Sequence, residues 1–294
     1  MVKALSIFKL RNLIKLAESK IRNKRFYENN PYCCFCGGAV KATTIDHVPP
    51  KVYFRKKHRP DDLIFPACEK CNSDSRLTDT VASFLLRSGI SNEDEVGEIE
   101  KEKIAKSIWR NAPDAIHELL SDSQISLSDK KQIRKKTQFL GNVVRIGPVC
   151  TAYLVNFCAK NATAIYYREF KKSVPIDAKI IVKLISNVDL INKKYSDIAH
   201  NFEKIETLRA GNWHTFDQFR FSIISIDKTF SKVAIDFHNN ASSIIYITSG
   251  IDCGGIREIV REPGKISIIA PNFDGNGEKF KVLGRFHEIK DYIN

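Results

Sequence analysis

Two Cys-x-x-Cys pairs, Cys33/Cys36 and Cys68/Cys71, bracket a stretch in which Asp46 and His47 stand side by side. Each pair forms a short knuckle presenting two sulfurs, and four thiolates so arranged suit a tetrahedral, structural Zn2+. Cys34 adjoins Cys33 and is the alternative first ligand. The Asp-His pair offers another chemistry: a carboxylate oxygen for a hard cation beside an imidazole of a type that titrates near neutrality. Asn72 follows the second knuckle directly. Cys150, Cys158 and Cys253 lie in apolar surroundings and read as buried small hydrophobes. No disulfide framework is suggested, and this cysteine usage fits a reducing, cytoplasmic setting.

From Cys33 to Asp79 the chain resembles the zinc-stabilised HNH endonucleases, whose active site is a ββα-metal unit. Cys33-x-x-Cys36-Gly37 matches the first knuckle, Thr44-Ile45-Asp46-His47 the first strand, and Pro66-Ala67-Cys68-x-x-Cys71-Asn72 the second knuckle running into the metal-site helix. The resemblance implies metal-dependent hydrolysis of phosphodiester bonds in DNA. His47 would be the general base, and Asp46 and Asn72 ligands of a catalytic Mg2+ or Mn2+. Asp62 falls near the family's middle Asn, which orients the histidine; the residue type differs, and it lies one position further from the second knuckle. Asp74 and Asp79 could add negative charge, but read more simply as cap or surface residues. A restriction or anti-phage defence setting follows by analogy only. The alternatives are a non-catalytic zinc ribbon that binds nucleic acid, in which His47 is structural, and a nuclease acting on RNA.

The elements that must hold these residues follow from patterning. Leu10, Leu13, Ile14, Ala17 and Ile21 make one stripe of a basic amphipathic helix over 3–28, which Asn29-Asn30-Pro31 ends. That helix suits phosphate contacts, an anionic membrane surface or plain solvation; the first is favoured by its neighbour. Gly37-Gly38 turns the chain, Ala42–Asp46 reads as the first strand, Pro49-Pro50 ends it, and Leu63–Phe65 reads as the second. A helix should start at Cys71, with Asn72, Ser73 or Asp74 near its first turn. Helices are expected over Val81–Leu86, Glu93–Arg110, from Pro113 to Leu120, Val149–Phe170 and Val188–Leu208. Strands are expected at Ala178–Ile185, Phe219–Ile226, Lys232–Phe237, Ser242–Thr248 and Lys265–Ile269, three of them as an antiparallel meander. The fold class is α+β: a small zinc-bound ββα-metal unit flanked by helices, plus a C-terminal α+β unit with an antiparallel sheet. The segments are a basic helix (1–30), an HNH domain (31–90), a helical connector (91–140) and an α+β domain (141–294).

Charge points to a polyanionic partner. The chain of 294 residues carries a formal net charge of +13, and residues 1–90 hold 17 Lys/Arg against 8 Asp/Glu. A basic region beside a candidate phosphodiesterase site suits DNA, with RNA as the second choice. Lys51, Arg55, Lys56, Lys57 and Arg59 lie between the two hairpin strands and are the expected phosphate contacts. Hydrophobic residues make up 43% and charged residues 28% of the chain, which argues against long disorder. No apolar run approaches the roughly 20 residues that span a bilayer, and the opening residues lack a signal peptide's apolar core.

Overall fold

A computed structural model describes residues 20–88, 95–121, 146–175, 177–186, 208–210, 213–215, 217–225, 230–239, 241–248, 265–271 and 280–285. Helix α1 covers residues 20–29 and stops where both the backbone N–H and the side-chain amide of Asn30 donate to Phe26 O at 2.9 Å. The expected stripe before residue 20 lies outside the described residues, as do residues 188–207 of the expected helix over Val188–Leu208, and Cys253.

The first knuckle is a 3-10 turn at Cys34–Cys36 followed by Gly37 and Gly38, both left-handed with φ 64° and 77°. Two consecutive positive φ angles are what glycine accommodates without a Cβ clash. Strands β1 (Thr44–His47) and β2 (Ile64–Ala67) pair antiparallel, with Thr44 opposite Ala67 and His47 opposite Ile64. Pro66 sits in β2 because this sheet has two strands and one side of each is an edge.

Helix α2 (Glu69–Asp74) begins earlier than expected from the sequence. Cys68 is its N-cap, and its Sγ accepts from the Cys71 N–H at 3.4 Å, so the thiol takes the part usually played by Ser or Asp. Asn72 therefore lies within the helix, not at its cap. Ser75 joins α2 to α3 (Arg76–Ser88), and α4 (Glu95–Asn111) and α5 (Pro113–Ser121) follow. Pro113 opens α5, as its fixed φ and missing N–H favour.

Helix α6 (Pro148–Phe170) is apolar around most of its middle, with Leu154, Phe157, Cys158, Ala162 and Ile165 buried. A helix buried on all sides belongs inside a protein, and α6 lies between α3 and the large sheet. Among the described residues no helix is long and apolar enough to cross a membrane.

That sheet is built from β3 (Lys179–Ser186), β6 (Phe219–Ser225), β7 (Phe230–Phe237), β8 (Ala241–Thr248), β9 (Lys265–Pro271) and β10 (Phe280–Arg285), in the order β10-β9-β3-β8-β7-β6. All its pairings are antiparallel, and β6-β7-β8 is the expected meander. A short pair, β4 (Arg209–Ala210) and β5 (Trp213–His214), lies between β3 and β6 in the chain. Mixed helix and antiparallel sheet make the fold α+β. One buried cluster runs from Cys33 through Phe157 to Ile247, so hairpin, helices and sheet share a core.

Candidate metal centre and its surroundings

The knuckles bring Cys33, Cys36, Cys68 and Cys71 together, all buried, with the four Sγ atoms within 4.8 Å of one another. Tetrahedral zinc with Zn–S near 2.3 Å places its sulfurs about 3.8 Å apart, so a small contraction would close the shell. Hydrogen bonds from the Cys33 and Cys71 thiols pull the Cys36 thiol down to about 3, against burial. A thiolate is the form that binds metal. These four residues fit structural zinc, and they are the one such convergence of His, Cys, Asp or Glu among the described residues. Cys34 is buried but takes no part in it.

The outlying thiols behave differently. Burial, reinforced by Glu118, pushes Cys150 up to about 12, and burial does the same to Cys158. Both are protonated core residues.

Asp46 and His47 are neighbours on β1, and neighbours on a strand point to opposite faces. Asp46 faces inward at 5% exposure, whereas His47 is half-buried. Asp46 Oδ1 accepts from the backbone N–H of His47 at 2.8 Å. Its Oδ2 lies 2.9 Å from Lys160 Nζ, an ion pair without a hydrogen bond. Lys160 comes from the middle of α6 and also donates to Asp79 Oδ2 at 2.6 Å and Ser75 Oγ at 2.9 Å.

Asn72 donates its amide to Thr44 Oγ1 at 3.2 Å. Thr44 is two residues before Asp46, so Asn72 covers the face of β1 that Asp46 shares, not the face of His47. Asp62 is exposed in the turn before β2, and no hydrogen bond joins it to His47 among the described residues. Asp79, expected as a cap or surface residue, is instead buried on Lys160, while Asp74 is partly exposed and pairs with Lys70 at 3.4 Å.

A divalent ion held by Asp46 and Asn72 does not fit this arrangement. Mg2+ takes oxygen ligands at about 2.1 Å and keeps several waters. Asp46 is buried, both its oxygens are engaged, and an ammonium already stands against the oxygen an ion would take. Like charges that close, away from water, repel strongly.

The basic residues between the strands divide into two groups. Lys51, Lys56 and Lys57 are exposed. Arg55 is engaged by the later part of the chain: its guanidinium pairs with Asp217 in an exposed ion pair and its backbone N–H donates to Gln218 Oε1 at 2.8 Å. Arg59 is half-buried, and burial lowers its pKa. Tyr53 and Phe54, between Lys51 and Arg55, are fully buried against Phe219 of the large sheet. Tyr53 donates its hydroxyl to Gln218 O, and His238 Nε2 lies 3.1 Å from Tyr53 O. Burial holds His238 down to about 3, so it is a neutral core histidine.

Sequence reasoning missed Lys160 and Ser75. The available signal was a lone lysine inside the apolar run Val155–Ile165, since a buried ammonium demands acidic partners. Comparison of the chain with protein-family models, with curated proteins and with solved structures finds no match.

Proposed function

We propose that this chain is an HNH-type endonuclease that hydrolyses phosphodiester bonds in DNA, with His47 as the general base. The observation that carries the reading is the four-cysteine centre joined to an antiparallel hairpin and a following helix, with a half-buried histidine ending the first strand. Imidazole is the side-chain type most often used as a general base. Lys51, Lys56 and Lys57 lie on the connection leaving His47 and supply positive charge for phosphate oxygens. Restriction or anti-phage defence is the setting this activity suggests.

The test is plasmid cleavage by pure, zinc-loaded protein with Mg2+ or Mn2+. Nicking or linearisation is expected, and His47→Ala should abolish it while DNA binding persists. Cleavage surviving His47→Ala would refute the role of the base. Preference for transcripts over duplex DNA would make the enzyme an RNA nuclease. The enclosure of Asp46 favours a second reading, a non-catalytic zinc ribbon that binds nucleic acid; binding without cleavage under any divalent ion would establish it.

A further inference from the structure

We infer that Lys160 is the resident counter-cation of Asp46, and that Asp46 is a positioning residue for the His47 end of β1, not a ligand of a divalent ion. The catalytic consequence rests on the nuclease reading above; the structural content does not.

An ammonium has three N–H donors. Around Lys160 Nζ stand three oxygens: Asp79 Oδ2 at 2.6 Å, Ser75 Oγ at 2.9 Å and Asp46 Oδ2 at 2.9 Å. Lys160 is 1% exposed, and a charge so buried persists only where opposite charge and hydrogen bonds match it. Burial pushes the ammonium towards neutrality; Asp79 and then Asp46 outweigh it, and the net effect raises its pKa. The site therefore has its cation built in.

Asp46 is the bridge. One oxygen faces that cation, and the other accepts from the peptide N–H of His47 at 2.8 Å. Fixing a carboxylate on both sides fixes the backbone that carries the imidazole. The cation comes from α6, the helix on which the six-stranded sheet packs, so the second half of the chain completes the setting of the histidine.

The experiment uses full-length, zinc-loaded protein and Mn2+ as the probe, with wild type, Asp46→Asn, Lys160→Met and the double variant. Mn2+ affinity is read by electron paramagnetic resonance and stability by thermal unfolding. Asp46→Asn should leave the Mn2+ Kd within about twofold of wild type, or neither protein should bind. Its kcat for cleavage should fall while the half-saturating Mn2+ concentration stays the same. Lys160→Met should lower Tm by roughly 10 °C, and the double variant should lose much less than the two single losses added. A tenfold or greater weakening of Mn2+ affinity in Asp46→Asn would overturn the inference, and so would additive Tm losses. If Lys160→Met does not fold, Asp46→Asn, whose Oδ1 still accepts from the His47 N–H, carries the Mn2+ comparison alone. Absence of cleavage by wild type would remove the nuclease reading and leave the Mn2+ and Tm comparisons intact.

Discussion

If the four-cysteine centre holds zinc as proposed, removing one of its cysteines should open the hairpin and spare the large sheet. Cys68→Ala is the sharpest perturbation, because the Cys68 sulfur belongs both to the metal centre and to the cap of α2, where it accepts from the Cys71 N–H. The hairpin pairs only four residues on each strand, and two-stranded hairpins are marginal alone. Structural zinc supplies about 10–16 kcal/mol in isolated zinc-finger peptides, comparable with the whole 5–15 kcal/mol stability of a typical domain. The loss therefore exceeds what the local backbone bonds can offset. Tyr53 and Phe54 are held from outside the knuckles, by Phe157, Phe219 and Phe237, so the connection between the strands stays docked. Hydrogen exchange separates the regions. The amides of Cys33 (to Val40 O, 2.8 Å), Thr43 (to Ala67 O, 2.9 Å) and Asn72 (to Cys68 O, 3.0 Å) should lose at least about 1,000-fold of their protection. Val233 and Ile245, paired in β7 and β8 and fully buried, should lose far less. Zinc should fall below one per chain. Unchanged protection at Cys33, Thr43 and Asn72 in zinc-free protein would refute the argument, and so would equal loss in β7 and β8.

Two further outcomes follow from the geometry. The Glu118 carboxylate caps α6, accepting from Val149 N at 2.7 Å and Cys150 N at 2.8 Å, and a Cβ on Gly147 would lie 2.5 Å from its Cδ. Gly147→Ala and Glu118→Gln should each cost about 1 kcal/mol in urea unfolding, and less than the sum together. Burial opposes but those backbone bonds prevail, holding Glu118 below the ordinary carboxylate range. Its contribution is present above the unfolded value of about 4.3 and is lost as pH falls through the lowered folded value; a flat stability difference between Glu118→Gln and wild type from pH 7 to 3 would contradict it. Neutralising Lys56 and Lys57 should lower the slope of log DNA affinity against log salt by about 2 units, leaving zinc content unchanged. Arg55 should add little beyond them, since Asp217 already engages it. An unaltered slope would make these lysines ordinary solvated residues.

What the sequence made legible was local. The four-cysteine cluster, the Gly37-Gly38 turn, helix α6 and the β6-β7-β8 meander all announce themselves through spacing, period or turn chemistry within a few residues. What stayed hidden depends on partners far along the chain. Lys160 meets Asp79 across 81 positions, and Arg55 reaches Asp217 across 162. A periodic pattern says that a position is buried, not which distant residue buries it. The start of α2 is illegible for a different reason: a thiol acting as N-cap is outside the usual Ser, Thr, Asp and Asn preference. Strand β10 had no expectation attached; Phe280–Arg285 alternates too briefly, and Gly284 interrupts it.

The packing of α6 bears on how much of the chain the candidate site requires. A zinc hairpin on its own would leave Asp46 with no buried cation, and Asp79 beside it with the same sign of charge. Lys160 resolves that conflict from a position no local motif contains. The same helix meets α1 through Tyr167, whose hydroxyl donates to Asn30 Oδ1 at 2.9 Å, and is held at its start by Glu118 of α5. The basic helix, the hairpin and the sheet thus all pack against one helix. Displacing α6 by a fraction of an ångström would change the Asp46 contact that fixes the His47 backbone. The C-terminal sheet contributes to the candidate site by setting where α6 lies and, through Phe219 and Phe237, by holding the connection at Tyr53 and Phe54.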